Sequence, residues 1–312
     1  LSRLLPAHTI DDLLRESLVG FGLTEFCNWT FSCPEDVNRC RLEAEYQNMV
    51  ALQNPLSENQ ATMRSSLIPG LMANVSRNVR HGSTNIAAFE IGPVFVPVAG
   101  RDLPDEPVHL ALVLSGNSSE KHWSRPQQAF DLYDIKGYCE AIVELFGAAC
   151  TFEAAEFPTF QPGQSASISL NGVVIGRFGE VRKDVLKDYD VEQPVYVLEI
   201  KLAPLFEVSA PKPQHRAVAQ FPPSRRDMAI LVDASVAAGA IRDAASEIGG
   251  KILKSVDIFD IYTGKQVPSG KKSVALSLVF LSEERTLTDK DTQKTWDRIL
   301  KKLETEFKAE LR

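Results

Sequence analysis

With 312 residues the chain is too long for one small core, and at roughly 100–200 residues per domain it is expected to form two domains or three. Its 44% hydrophobic and 24% charged residues exclude wholesale disorder, and no apolar run reaches the roughly 18 residues of a membrane span. The formal charge of −7, taken over the whole chain, argues against a polyanion-binding protein.

The five cysteines (Cys27, Cys33, Cys40, Cys139, Cys150) are odd in number, hold no C-x-x-C pair and stand outside metal-ligand spacing from the five histidines. This usage points to a reduced, cytoplasmic protein without a zinc site. The chain opens at Leu1 with no Met and enters a helical pattern within ten residues, so a piece of a longer protein, with domains preceding it, is expected.

In chain order, Thr9 is placed to cap a helix carrying Ile10, Leu13, Leu14, Leu18 and Val19, which Gly20 and Gly22 end. Residues 26–31 and 49–52 read as strands. Residues 67–79 read as a helix with Pro69 in its first turn, where a missing N–H is harmless. Residues 87–96 and 108–114 are apolar enough for central strands, and Leu132, Ile135, Cys139, Ile142 and Phe146 mark an amphipathic helix. Strands at 166–170 and 173–178 flank Asn171-Gly172, two residues that tolerate positive φ and favour a tight hairpin. A strand at 195–200 completes an α+β unit with a largely antiparallel sheet.

Pro211, Pro213, Pro222 and Pro223 then mark a semi-rigid linker over 209–224 between a unit at 1–208 and another at 225–312. Charge divides there too. Residues 1–218 hold 18 basic and 27 acidic residues, net −9, whereas 219–312 hold 16 and 14, net +2.

The second unit reads strand 226–232, helix 237–248, strands 256–262 and 272–280, a helix opened by Thr288 and Asp291 as a capping box, and a short strand at 309–312. This βαββαβ order is that of a ferredoxin-like sandwich with both helices on one sheet face. Period-two alternation turns Asp227, Ala229, Asp260, Tyr262, Ser273, Ala275 and Ser277 to the other, open face, bordered by Arg225, Lys265, Lys271 and Lys272. Such a surface suits an unstacked base and its phosphates, and it is equally how a plain solvated face looks.

Several strings resemble the bacterial phenylalanyl-tRNA synthetase beta-subunit family. They are Asn54-Pro55-Leu56-Ser57, Met63-Arg64-Ser65-Ser66-Leu67-Ile68-Pro69-Gly70-Leu71, Phe89-Glu90-Ile91-Gly92 and Phe130-Asp131-Leu132-Tyr133-Asp134-Ile135-Lys136-Gly137. The resemblance continues through Phe221-Pro222, Arg226-Asp227, Phe259-Asp260-Ile261-Tyr262-Thr263-Gly264, Gly270-Lys271-Lys272-Ser273 and Arg285-Thr286-Leu287-Thr288 to Leu311-Arg312. It implies that 1–208 is a catalytic-like domain with a class II synthetase fold and no activity, and that 225–312 is an anticodon-binding domain.

The resemblance also implies a heterotetramer of two alpha and two beta subunits, a phenylalanine–tRNA ligase in which alpha uses ATP and Mg2+ to charge tRNA(Phe). This chain itself would hold no cofactor, no metal and no catalytic residue. Consistent with that, the segment Glu90-Ile91-Gly92-Pro93-Val94-Phe95-Val96-Pro97 lacks the arginine that class II enzymes aim at phosphate, and Arg64 and Arg177 are expected in structural ion pairs. The helix at 67–79 is a candidate contact for alpha. Asp260, Tyr262 and Ser273 become the expected base contacts, with Arg225, Arg226, Lys271, Lys272 and Arg285 on phosphates. The chain departs from the family pattern at Gln161-Pro162-Gly163 and at Gly179-Glu180-Val181-Arg182-Lys183. A free-standing RNA-binding paralogue and a pure protein-interaction scaffold are the competing readings.

Overall fold

The computed structural model describes residues 7–208 and 220–312, and the chain divides into two compact units, 1–212 and 213–312. The expected linker lies, through residue 219, outside the described residues, and its last residue, Ser224, is already in a strand.

The first unit runs α1 (Ala7–Gly20), β1 (Thr24–Glu25), β2 (Phe31–Ser32), α2 (Pro34–Arg39), α3 (Ala44–Gln47), β3 (Thr62–Met63), α4 (Ile68–Arg80), β4 (Ile86–Pro93) and β5 (Val108–Ser115). It continues with α5 (Leu132–Leu145), β6 (Cys150–Ala154), β7 (Phe160–Leu170), β8 (Val173–Val181), α6 (Lys183–Asp188), β9 (Val195–Lys201) and α7 (Ala203–Phe206). Seven strands form one sheet in the order β1-β4-β5-β9-β8-β7-β6, antiparallel except where β1 meets β4.

Both sheet faces are covered. Leu110, Leu112 and Leu114 enter a core with α1 and α5, while Ala111 and Val113 between them enter a second core with α4. This double burial is why β5 and β9 read as continuous apolar runs instead of alternating ones. The hairpin turn falls at Asn171-Gly172, with φ of 51° and 80°, as a turn with both central residues at positive φ requires. Pro69 sits in the first turn of α4.

Other expectations are corrected. Thr9 lies within α1 instead of capping it. Residues 49–52 form only an isolated bridge, Ala51 to Thr62, and of 26–31 only Phe31 is in a strand. Apolar runs in these two places serve loops that cover the sheet, with Phe26 and Met49 packed on the second core.

The second unit comprises β10 (Ser224–Asp233), α8 (Ala238–Gly249), β11 (Leu253–Tyr262), β12 (Lys271–Phe280), α9 (Asp289–Phe307) and β13 (Glu310–Leu311), with sheet order β11-β12-β10-β13. This is the ferredoxin-like arrangement. Met228, Ile230, Leu276, Leu278, Ile299 and Leu303 fill the core between the sheet and both helices. Thr288 and Asp291 form the expected capping box: the Thr288 N–H donates to Asp291 Oδ2 at 3.0 Å, and the Asp291 N–H donates to Thr288 Oγ1.

Candidate functional site

The open face of the second unit is built in cross-strand rows. From β10 through β12 to β11 these are Asp227–Ser277–Asp257, Ala229–Ala275–Asp260 and Leu231–Ser273–Tyr262. Two alanines give a shallow floor, with Asp260 and Tyr262 at one side. Asp260 is exposed, without a side-chain hydrogen bond among the described residues, and Tyr262 is 38% exposed. Its ring stands over Gly264, where a Cβ would overlap it, so the Thr263-Gly264 turn leaves room for the phenol.

Regular alternation along β11 does not produce this face. Val256 and Ile258 belong to the core, and a bulge between Ile258 and Asp260 inserts Phe259 as an extra residue. The inserted residue reverses the alternation, so that Asp260 and Tyr262 turn outward. Phe259 is itself 59% exposed.

The remaining expected contacts are distributed unevenly. Ser273 lies in the Tyr262 row but is only 4% exposed, which makes it part of the floor more than a free hydroxyl. Arg225 is on the open face: its Nε donates to Ser277 Oγ at 2.8 Å, and Ser277 donates to Asp227 Oδ1 at 3.0 Å. Arg226 has the opposite alternation and pairs with Asp289 at 2.6 Å, at the start of α9. Arg285 pairs with Asp291 at 2.9 Å, and its hydrogen bond, followed by those from Thr288, holds the Asp291 carboxyl well below the usual range. Lys271 pairs with Glu310 at 2.5 Å, and Lys272 donates to the Ala234 carbonyl at 3.0 Å.

Sequence reasoning missed Arg312 as a member of the face. Its backbone N–H donates to the Ala229 carbonyl at 2.9 Å, and its guanidinium lies 5.7 Å from the Tyr262 ring centroid. The pairing of the short last strand with β10 was the available signal, because it carries the next residue onto the same face.

In the first unit a polar row crosses the sheet on the α4 side: Glu90 on β4, Ala111 on β5, Glu199 on β9 and Arg177 on β8. Its charges are drawn into ion pairs, although Arg177 Nε and Nη2 are buried without a hydrogen-bond acceptor. Arg64 Nη1 pairs with Glu90 Oε1 at 2.6 Å while its Nε donates to the Pro93 carbonyl, and Gly92 leaves the space for its guanidinium. Arg177 pairs with Glu43 at 2.5 Å and stacks on Tyr46, 4.5 Å from its centroid. The expectation of structural ion pairs for both arginines is met.

Glu199 accepts from Ser66 Oγ (2.7 Å) and the Leu67 N–H (3.0 Å) and contacts His109 Nδ1 at 3.0 Å. Burial alone would raise its carboxyl, but the His109 hydrogen bond and the charges of His109 and Arg177 hold it at about 2. Both arginines of this sheet face are held in ion pairs with carboxylates, Arg64 with Glu90 and Arg177 with Glu43. Among the described residues no three His, Cys, Asp or Glu side chains converge as metal ligands, and no helix is long and apolar enough to cross a membrane.

Two family models match the chain. One, described as the phenylalanyl tRNA synthetase beta chain CLM domain, covers residues 2–202, and the ferredoxin-fold anticodon binding domain covers 219–312. Among similar proteins, the phenylalanine–tRNA ligase beta subunit of Clostridium acetobutylicum is 35% identical over 308 residues, 97% of this chain and 37% of that protein. The beta subunits of Syntrophotalea carbinolica (35% identical, 96% of this chain, 38% of that protein) and Geobacillus kaustophilus (36%, 96% and 37%) agree. The chain thus spans less than two fifths of the length of these relatives.

Proposed function

The chain belongs to the phenylalanyl-tRNA synthetase beta chain family, and from that premise we propose that it is the non-catalytic, tRNA-binding and scaffolding part of a cytoplasmic phenylalanine–tRNA ligase. The second unit binds the anticodon of tRNA(Phe), and the first holds the alpha subunit within an assembly of two alpha and two beta chains. ATP and Mg2+ act in alpha.

The observation that carries the RNA reading is the open sheet face, where a partly exposed aromatic ring flanked by the Arg312 guanidinium stands beside an exposed carboxylate without a side-chain hydrogen bond, over a floor of small side chains. Tyr262 offers its ring to a base, and Asp260 accepts a base N–H. The face is only weakly basic, so stacking and shape supply most of the local affinity. The scaffold reading is supported by the polar row, which gives the first unit an enzyme-like sheet whose two buried arginines are paired with carboxylates.

Filter binding of tRNA(Phe) at two salt concentrations tests the first part: Tyr262→Ala is expected to weaken binding by about 1–3 kcal/mol. Unchanged binding would remove Tyr262 from the site. Gel filtration of the chain mixed with alpha tests the second, co-elution being expected and two separate peaks at micromolar concentration contradicting it.

A further inference from the structure

We propose that the first unit carries a phosphate-binding site of its own, formed by Arg39, Arg77 and Arg80 around a concavity of about 270 Å³. The walls are Arg39, Ala73, Ser76, Arg77, Arg80, His81 and Tyr189, with no carboxylate among them, although this unit is the acidic one.

The cations come from separate elements. Arg39 ends α2, and Arg77 and Arg80 occupy the last turn of α4. A helix C-terminus favours cations, which accounts for each arginine in its own helix. It does not account for two separate helices directing them to the same hollow. Arg39 is held there with its guanidinium 4.2 Å from the Tyr189 ring centroid and donates to the backbone carbonyl of Asp188, so its charge stays uncompensated by that bond.

Arg77 makes no side-chain hydrogen bond or ion pair among the described residues. Arg80 donates to Ser76 Oγ and pairs with Asp190 at 3.0 Å, where both side chains are exposed at 59% and 74%. Such a pair is weak and can yield to a better anion. Three guanidinium groups facing one hollow repel each other unless an anion sits between them, and their planar forks match phosphate oxygens. The buried face of α4, with Leu71, Met72 and Val75, is spent inside the unit. What the helix turns outward here is charge.

The phosphate can belong to an RNA backbone or to a small free phosphate, and the test separates them. The 312-residue chain, R77E and R77E/R80E are each titrated with a tRNA(Phe) transcript, the same transcript with a changed anticodon, and inorganic pyrophosphate. R77E keeps the test valid if the double variant fails to fold, since Arg77 supports no other contact. For an RNA backbone, both transcripts bind several-fold more weakly to R77E, and the double variant lowers the salt slope by about 2. For a small phosphate, pyrophosphate binds the parent chain and not the variants. Unchanged affinity and salt slope for both transcripts, together with no pyrophosphate binding, overturns the site. The site rests partly on the RNA reading above, but the two fail separately: Tyr262→Ala reports on the sheet face of the second unit, and R77E on the hollow in the first.

Discussion

The two sheets of this protein carry similar polar groups and spend them in opposite ways. In the first unit Glu90, Glu199, Arg64 and Arg177 are each no more than 7% exposed and tied to one another or to neighbouring loops. In the second, Asp260 and Tyr262 stand on a sheet face with solvent above them. Polar groups satisfied internally stabilise or specify a fold, and those left unsatisfied at a surface are available to a partner. The difference separates a sheet that holds shape from a smaller sheet whose face is open to a partner.

That contrast can be broken by substitution. Glu90→Ala leaves Arg64 buried without its carboxylate and should cost about 3–5 kcal/mol, read by urea denaturation. A small loss there would show that the row is open to water. Acid comes next. The Glu199 carboxyl is held below its ordinary value, so its contribution is present above about 4.5 and is lost as pH falls toward about 2. Unfolding midpoints measured from pH 5 to pH 2.5 should fall, and Glu199→Gln should flatten that slope. The smallest effect belongs to the open face: Asp260→Ala should leave stability within about 0.5 kcal/mol while weakening tRNA binding. If it destabilises the protein as Glu90→Ala does, the two faces do not differ in kind.

Features set by neighbours in sequence were legible. The Thr288–Asp291 box, the Asn171-Gly172 turn and the position of Pro69 each depend on a few adjacent residues. The ladder of central strands was legible because double burial makes their apolar runs continuous. Edge strand β6 was missed because Cys150–Ala154 is short and mostly exposed, and residues 49–52 were misread because apolar side chains also fill loops that cover a core. The polar row joins residues distant in sequence, so the partners of Arg177 could not be named in advance. Asp260 and Tyr262 were placed on the correct face although strict alternation with Val256 and Ile258 would have put them in the core.

The bulge at Phe259 adds one residue to β11 between the core position of Ile258 and the open-face position of Asp260. Exchanging Phe259 for another side chain leaves the number of residues before Asp260 unchanged, and the face survives. Removing one codon there would straighten the strand and leave Asp260 opposite Ala275 and Tyr262 opposite Ser273, both still on the open face. A coding sequence for this domain should therefore tolerate both substitutions at position 259 and its in-frame deletion, and reject deletion of Ile261, which would turn Tyr262 toward the core.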